Sequence, residues 1–116
     1  MNAPDLVPVI VDALEDIKAR DIEVIDTAAN TPLFDRIIVA SADSGRQTRA
    51  LAHHVKDKAV AAGAEVLSIE GEDSGEWVLV DLGNIVVHIM QPAIRSHYRL
   101  EELWRTSPAA RTPLSN

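Results

Sequence analysis

Glu70 and Glu72, one residue apart and followed by Asp73, are the side chains whose types and spacing come closest to catalysis in this sequence. Paired carboxylates of this kind can hold a divalent ion and present it to a phosphoryl oxygen. Two features weigh against that chemistry. Glycine lies between the acids, and the surrounding stretch supplies no basic group to hold substrate phosphates or offset developing charge. Between Ala59 and Ile94 there is no Lys or Arg, whereas Glu65, Glu70, Glu72, Asp73, Glu76 and Asp81 all fall there, so 71–75 reads as a solvated acidic turn. His53 and His54 are neighbours on a helical stretch and point in different directions, which disfavours a shared metal ion. His88 and His97 have no partner visible in the sequence. The run Ala40-Ser41-Ala42-Asp43-Ser44-Gly45-Arg46 joins a strand to a helix N-terminus, where free amides attract phosphate. It has one glycine, no following Lys, an acid at Asp43, and a serine better explained as a cap. Ser41 lacks the strained elbow of a hydrolase nucleophile. With no cysteine in the chain, disulfides and thiolate sites are excluded, and neither a cofactor nor a metal is expected.

The elements that must carry these residues follow from periodicity. Leu6, Val9, Ile10, Ala13, Leu14 and Ile17 recur at helical spacing over 5–20, with Asp5 placed as a cap and Lys18 and Arg20 at the favourable end. Asp21 to Thr27 reads as a strand, Ala28 to Leu33 as a loop closed by Pro32, and the β-branched run Asp35 to Ala42 as a second strand. Ser44 and Gln47 form a capping-box pattern opening a helix whose buried stripe is Thr48, Leu51, Ala52, Val55, Ala59 and Ala62, stopped by Gly63. Glu65 to Ile69 is a third strand, and a long strand starts near Glu76. Ile94, Tyr98, Leu100, Leu103 and Trp104 mark a short C-terminal helix, and residues beyond Thr106 read as a disordered tail.

Gly83-Asn84 predicts a two-residue hairpin turn, which places Leu82 opposite Ile85, Asp81 opposite Val86 and Trp77 opposite Met90. Alternation then puts Val78, Val80, Leu82, Ile85, Val87 and Ile89 on one face, which is core. The other face carries Trp77, Leu79, Asp81, Val86, His88 and Met90. That mixture fits a docking surface; it equally fits a face lying under the C-terminal segment, with Tyr98 and Trp104 as cover and His88 as a structural histidine. A longer turn would slip the register and expose Leu82.

A chain of 116 residues, 47% hydrophobic and 25% charged, supports one core and therefore one domain. A net charge of −7 argues against gripping nucleic acid through its phosphates and favours a basic protein partner. The longest apolar runs, Val78 to Val80 and Ile85 to Val87, fall far short of the roughly 20 residues that span a bilayer, so no membrane segment is expected. Acids at Asp5 and Asp12, without a basic leader, predict no secretory signal and a cytoplasmic location.

These residues also form a recognisable pattern. The stretches Ala13-Leu14-Glu15-Asp16-Ile17-Lys18-Ala19, Asp21-Ile22, Ile37 to Arg49, Glu70-Gly71-Glu72, Glu76-Trp77-Val78-Leu79-Val80-Asp81-Leu82-Gly83, Val86-Val87-His88, and Arg95 through Tyr98 to Leu100-Glu101-Glu102-Leu103-Trp104 resemble the ribosomal silencing factor family, also called Iojap-related. The resemblance runs from Leu6 to Trp104. It departs at Ala42-Asp43-Ser44, where the family usually has Gly-Thr-Ser, and at Arg36, where an apolar or Tyr residue is common. It implies an α/β fold, a single domain over 1–105 before a tail at 106–116. The implied architecture is a mixed five-stranded sheet with packed helices and nucleotidyltransferase-like topology lacking paired metal carboxylates. It implies a homodimer in many members, and no catalysis. Its implied role is to bind ribosomal protein fourteen of the large ribosomal subunit and sterically block subunit association during starvation or stationary phase. On this reading Trp77, Asp81, Leu82 and Met90 are the first contacts and Glu70, Asp73, Arg95 and Tyr98 the rim, with Trp104 in packing; no sequence-specific nucleic-acid binding is expected. The competing readings are a nucleotidyltransferase-like enzyme using Glu70, Glu72 and magnesium, and a dimeric scaffold for another basic protein.

Overall fold

The structure is a computed structural model in which residues 5–27 and 35–98 are described. The expected loop over 28–33, Leu100, Leu103, Trp104 and the tail lie outside them. The first helix, α1, spans Val7–Asp16. Its N-cap residue is Leu6 rather than the expected Asp5, which stands one place earlier with its Oδ1 accepting from the Val7 amide at 3.0 Å. The helix ends four residues before the expected Arg20, because Lys18 turns into the left-handed region at φ 63°. The amides of Lys18 and Ala19 then donate back to the Glu15 and Leu14 carbonyls, each at 3.0 Å. Lys18 and Arg20 therefore lie past the last helical turn, and Arg20 opens strand β1, Arg20–Asp26. Strand β2 is Arg36–Ser41.

Helix α2, Gly45–Ala61, begins as the capping pattern requires, with Ser44 Oγ accepting from the Gln47 amide at 3.1 Å. The Gln47 side chain adds long-range bonds. Its Oε1 accepts from the Asp43 amide at 2.7 Å, and its Nε2 donates to the carbonyls of Ile17 and Lys18 at 3.0 and 3.2 Å. One residue thus fastens the start of α2 to the turn that ends α1. Thr48, Leu51, Ala52, Val55 and Ala59 are buried as expected, and Ala62 is half-buried. Strand β3 is only Ser68–Glu70, later and shorter than the expected 65–69; β4 is Trp77–Asp81, β5 Ile85–Met90, and α3 Pro92–Tyr98.

The five strands form one sheet in the order β1-β2-β5-β4-β3. β2 and β5 run parallel and every other neighbouring pair is antiparallel, so the sheet is mixed. The β4–β5 register is the expected one, with Trp77 opposite Met90 and Asp81 opposite Val86, closed by the Leu82 amide donating to the Ile85 carbonyl at 2.9 Å. Both long helices cover one face. Ile10, Leu14, Leu51 and Val55 pack there with Ile38, Val78, Val80, Val87 and Ile89, all of them fully buried. The second face has its own cluster of Ile25, Ile37, Val39 and Met90, against which Trp77 and Ile94 of α3 are partly buried. No helix among the described residues is long and apolar enough to cross a membrane.

Candidate functional site

Alternation along β4 turns Trp77, Leu79 and Asp81 to the second face, and all three are half-buried. The edge strand β3 extends this strip, pairing Glu70 with Leu79 and Ser68 with Asp81. Glu70 is exposed, and the Ser68 hydroxyl donates to its Oε2 at 3.3 Å. On the other side of β4, the β5 residues Val86, His88 and Met90 are buried. The result is a strip of large apolar groups at the β3–β4 edge with carboxylates beside them.

Trp77 is held by a specific bond. Its indole Nε1–H donates to His88 Nδ1 at 2.9 Å, with ring centroids 5.8 Å apart and planes inclined at 50°. His88 is 9% exposed, and burial pushes its pKa down from 6.5 to about 4. At neutral pH the imidazole is uncharged, and because Nδ1 accepts, its proton resides on Nε2. Sequence left His88 without a partner. The register supplies one, since Trp77 faces Met90 and so lies diagonal to His88 on the same face.

The acidic turn is held by α2. Arg49 Nε donates to the Glu72 carbonyl at 2.7 Å and its Nη2 to that of Asp73 at 3.3 Å. The expectation that this region lacks a basic group is therefore corrected: Arg49 arrives from more than twenty residues upstream and is spent on backbone oxygens. The Gly75 carbonyl lies 2.7 Å from Thr48 Oγ1 and 3.1 Å from Gln91 Nε2. A Cβ on Gly71, whose φ is +88°, would lie 2.1 Å from the Trp77 carbonyl oxygen, so only glycine lets the turn pass that close to β4.

Glu70 and Glu72 are not brought together. Glu70 lies beside Ser68 on β3, while Glu72 Oε2 meets His53 Nε2 of α2 at 2.5 Å. Among the described residues no three His, Cys, Asp or Glu side chains are grouped as a metal site would need. His53 and His54 diverge as expected, His54 Nε2 meeting Asp16 Oδ2 of α1 at 3.0 Å. The strand-to-helix segment is also occupied, with Ser44 and Gln47 on its amides and Asp43 paired with Arg20.

Of the residues expected at a docking surface, Trp77, Asp81 and Glu70 share the second face. Asp81 also serves the hairpin turn, its Oδ1 accepting from the Gly83 amide at 2.8 Å. Two expectations need correction. Leu82 is 8% exposed and belongs to the helix-side core, because just past β4 it continues the alternation of Val78 and Val80, the face that the hairpin register also assigns it. Met90 is on the second face but 0% exposed, covered within the cluster of Ile25, Ile37 and Val39 against which Trp77 packs. Asp73 is exposed on the acidic turn. Arg95 of α3 donates from Nη1 to Ser41 Oγ at 2.9 Å, joining α3 to the end of β2. Tyr98 is the last residue of α3, and its side chain lies outside the described part.

The fold is a mixed α/β sheet with two helices on one face and an apolar, acid-edged strip on the other. Comparison makes the class specific: residues 1–115 match the family described as "Ribosomal silencing factor during starvation", and the chain belongs to that family. It is 49% identical over 104 residues to "Ribosomal silencing factor RsfS" of Chromobacterium violaceum, covering 90% of this chain and 85% of that one. A crystal structure from the same organism, titled Protein CV0518, superposes with TM-score 0.85 at 49% identity, covering 90% and 87% of the two chains. A mouse protein named "Mitochondrial assembly of ribosomal large subunit protein 1" is 33% identical over 105 residues, covering 84% of this chain and 44% of that one.

Proposed function

We propose that this chain is a ribosome-associated silencing factor that acts by occupancy and catalyses no reaction. It binds the large ribosomal subunit through ribosomal protein fourteen, prevents the small subunit from joining, and so represses translation in starvation or stationary phase. Family membership supports the ribosomal role, and the name of the mouse relative points to the large subunit. The observation that carries the mode of action is the β3–β4 strip, where half-buried Trp77 and Leu79 sit beside Glu70 and Asp81. Apolar anchors with an acidic rim suit a basic protein surface: the anchors give affinity and the charges give orientation. The protein works in the cytoplasm, and a homodimer is part of this reading.

The test is sedimentation of the purified chain with large subunits at moderate salt, followed by a subunit-joining assay. The chain should pellet with large subunits and reduce monosome formation as its concentration rises. Unchanged monosome formation at large excess rejects the role. Pull-down with ribosomal protein fourteen, comparing the chain with Trp77→Ala and Asp81→Lys, tests the contact, and equal retention of all three rejects the strip.

A further inference from the structure

We infer that His88 is a positioning residue for partner binding: by accepting the Trp77 indole N–H it sets the ring in the one orientation that docks. The inference rests on the proposal that Trp77 is a partner contact.

A half-exposed tryptophan on a sheet face has two torsions to fix before it can enter a complementary pocket, and an ordered ring loses less freedom on binding. On one flank of Trp77 is apolar packing with Met90 and its neighbours, which resists displacement but does not select one ring flip. The hydrogen bond does select. Only one edge of the indole carries an N–H, and it points at His88 Nδ1, 2.9 Å away. The acceptor itself is rigid, because β5 is buried along its whole length and His88 stands in its centre. The bond requires the imidazole to present a lone pair at Nδ1, and the burial that keeps His88 uncharged at neutral pH permits the tautomer with its proton on Nε2. The partner therefore meets a ring that is already oriented, with its polar edge satisfied inside the protein.

Substitutions at His88 separate presentation from packing. His88→Leu keeps bulk and removes the acceptor; His88→Asn places Oδ1 where Nδ1 stood and restores it. In ¹⁵N-labelled protein, Trp77→Phe identifies the Trp77 indole signal among the chain's two tryptophans. That signal should show scalar coupling to His88 nitrogen and slow exchange with solvent, lose both in His88→Leu, and regain slow exchange in His88→Asn. Affinity for purified large subunits should fall about five- to tenfold in His88→Leu and recover in His88→Asn. In a Trp77→Ala background, His88→Leu should cause no further loss. Two failures are distinguishable. If Trp77→Ala binds as well as the unaltered chain, the docking strip is wrong and this inference falls with it. If Trp77→Ala weakens binding but His88→Leu, folded and with its indole signal altered, binds normally, the strip stands and the positioning role is overturned.

Discussion

A histidine buried uncharged leaves a signature in the pH dependence of stability. His88 titrates at about 4 in the folded chain, against the ordinary histidine value of 6.5 that applies once the chain unfolds. Between those values the unfolded chain binds a proton that the folded chain refuses, so acidification favours unfolding. The contribution of His88 is complete above pH 6.5, declines as pH falls through the unfolded value, and levels off below about 4. By linkage the loss at pH 5.5 relative to 7.5 is about 1–1.5 kcal/mol. Urea unfolding of the unaltered chain and of His88→Asn at both pH values measures it, since Asn does not titrate and the carboxylates are common to both. Parallel pH dependence in the two proteins would show that His88 is not excluded from protonation. At the same scale, Trp77→Ala is expected to weaken large-subunit binding by about 2 kcal/mol, roughly thirtyfold, if the indole is a buried anchor. A change below twofold in equilibrium sedimentation would demote it to a rim residue.

At the scale of elements, the acidic turn is positioned by backbone geometry more than by its charges. Gly71 combines φ +88° with the Trp77 carbonyl lying where a Cβ would fall, so Gly71→Ala must push the turn away from β4 or twist the strand. The expected cost is about 2–3 kcal/mol in chemical unfolding, with Trp77 fluorescence altered because its own carbonyl moves. Arg49→Ala removes bonds to the Glu72 and Asp73 carbonyls and should cost about 1–2 kcal/mol while speeding amide exchange at Gly75. An Arg49→Ala protein with unchanged exchange there would mean that the contacts of Thr48, Gln91 and His53 hold the turn without it. These elements also show what the sequence made legible. The β4–β5 register follows from Gly83-Asn84 and strict alternation, and the α2 stripe and Ser44 cap follow from local spacing. The end of α1 did not, because Lys18 enters the left-handed region with no glycine or proline to announce it. Nor did the burial of Met90, which depends on Ile25, Ile37 and Val39 arriving from strands whose order the hairpin does not dictate. Trp77 and Asp81 could be placed on one face from period alone. Arg49 could not be joined to the turn, since the contact spans 23 residues and carries no periodic signal.

For the whole molecule, the relevant quantity is a net charge of −7 set against a partner surface proposed to be basic protein. Such a chain is repelled by nucleic-acid phosphates at long range and drawn to a cationic patch at short range, so charge acts mainly on the rate and selectivity of encounter. Salt screens the approach while leaving the buried anchor contacts little changed. The association rate with purified ribosomal protein fourteen should therefore fall several-fold between about 50 and 300 mM salt, with the dissociation rate nearly constant. Asp81→Lys should lower the association rate further and flatten its salt dependence, because it removes an attractive charge from the strip and inserts a repulsive one. A protein that instead gripped phosphates would bind naked ribosomal RNA, with affinity falling by about 0.7–0.9 log units per phosphate contacted for each tenfold rise in salt. Stopped-flow association against the isolated protein, run beside filter binding to naked RNA, decides between the two. A steep salt slope on RNA together with a salt-independent rate on the protein would place the partner in the nucleic acid and remove the acidic strip from the mechanism.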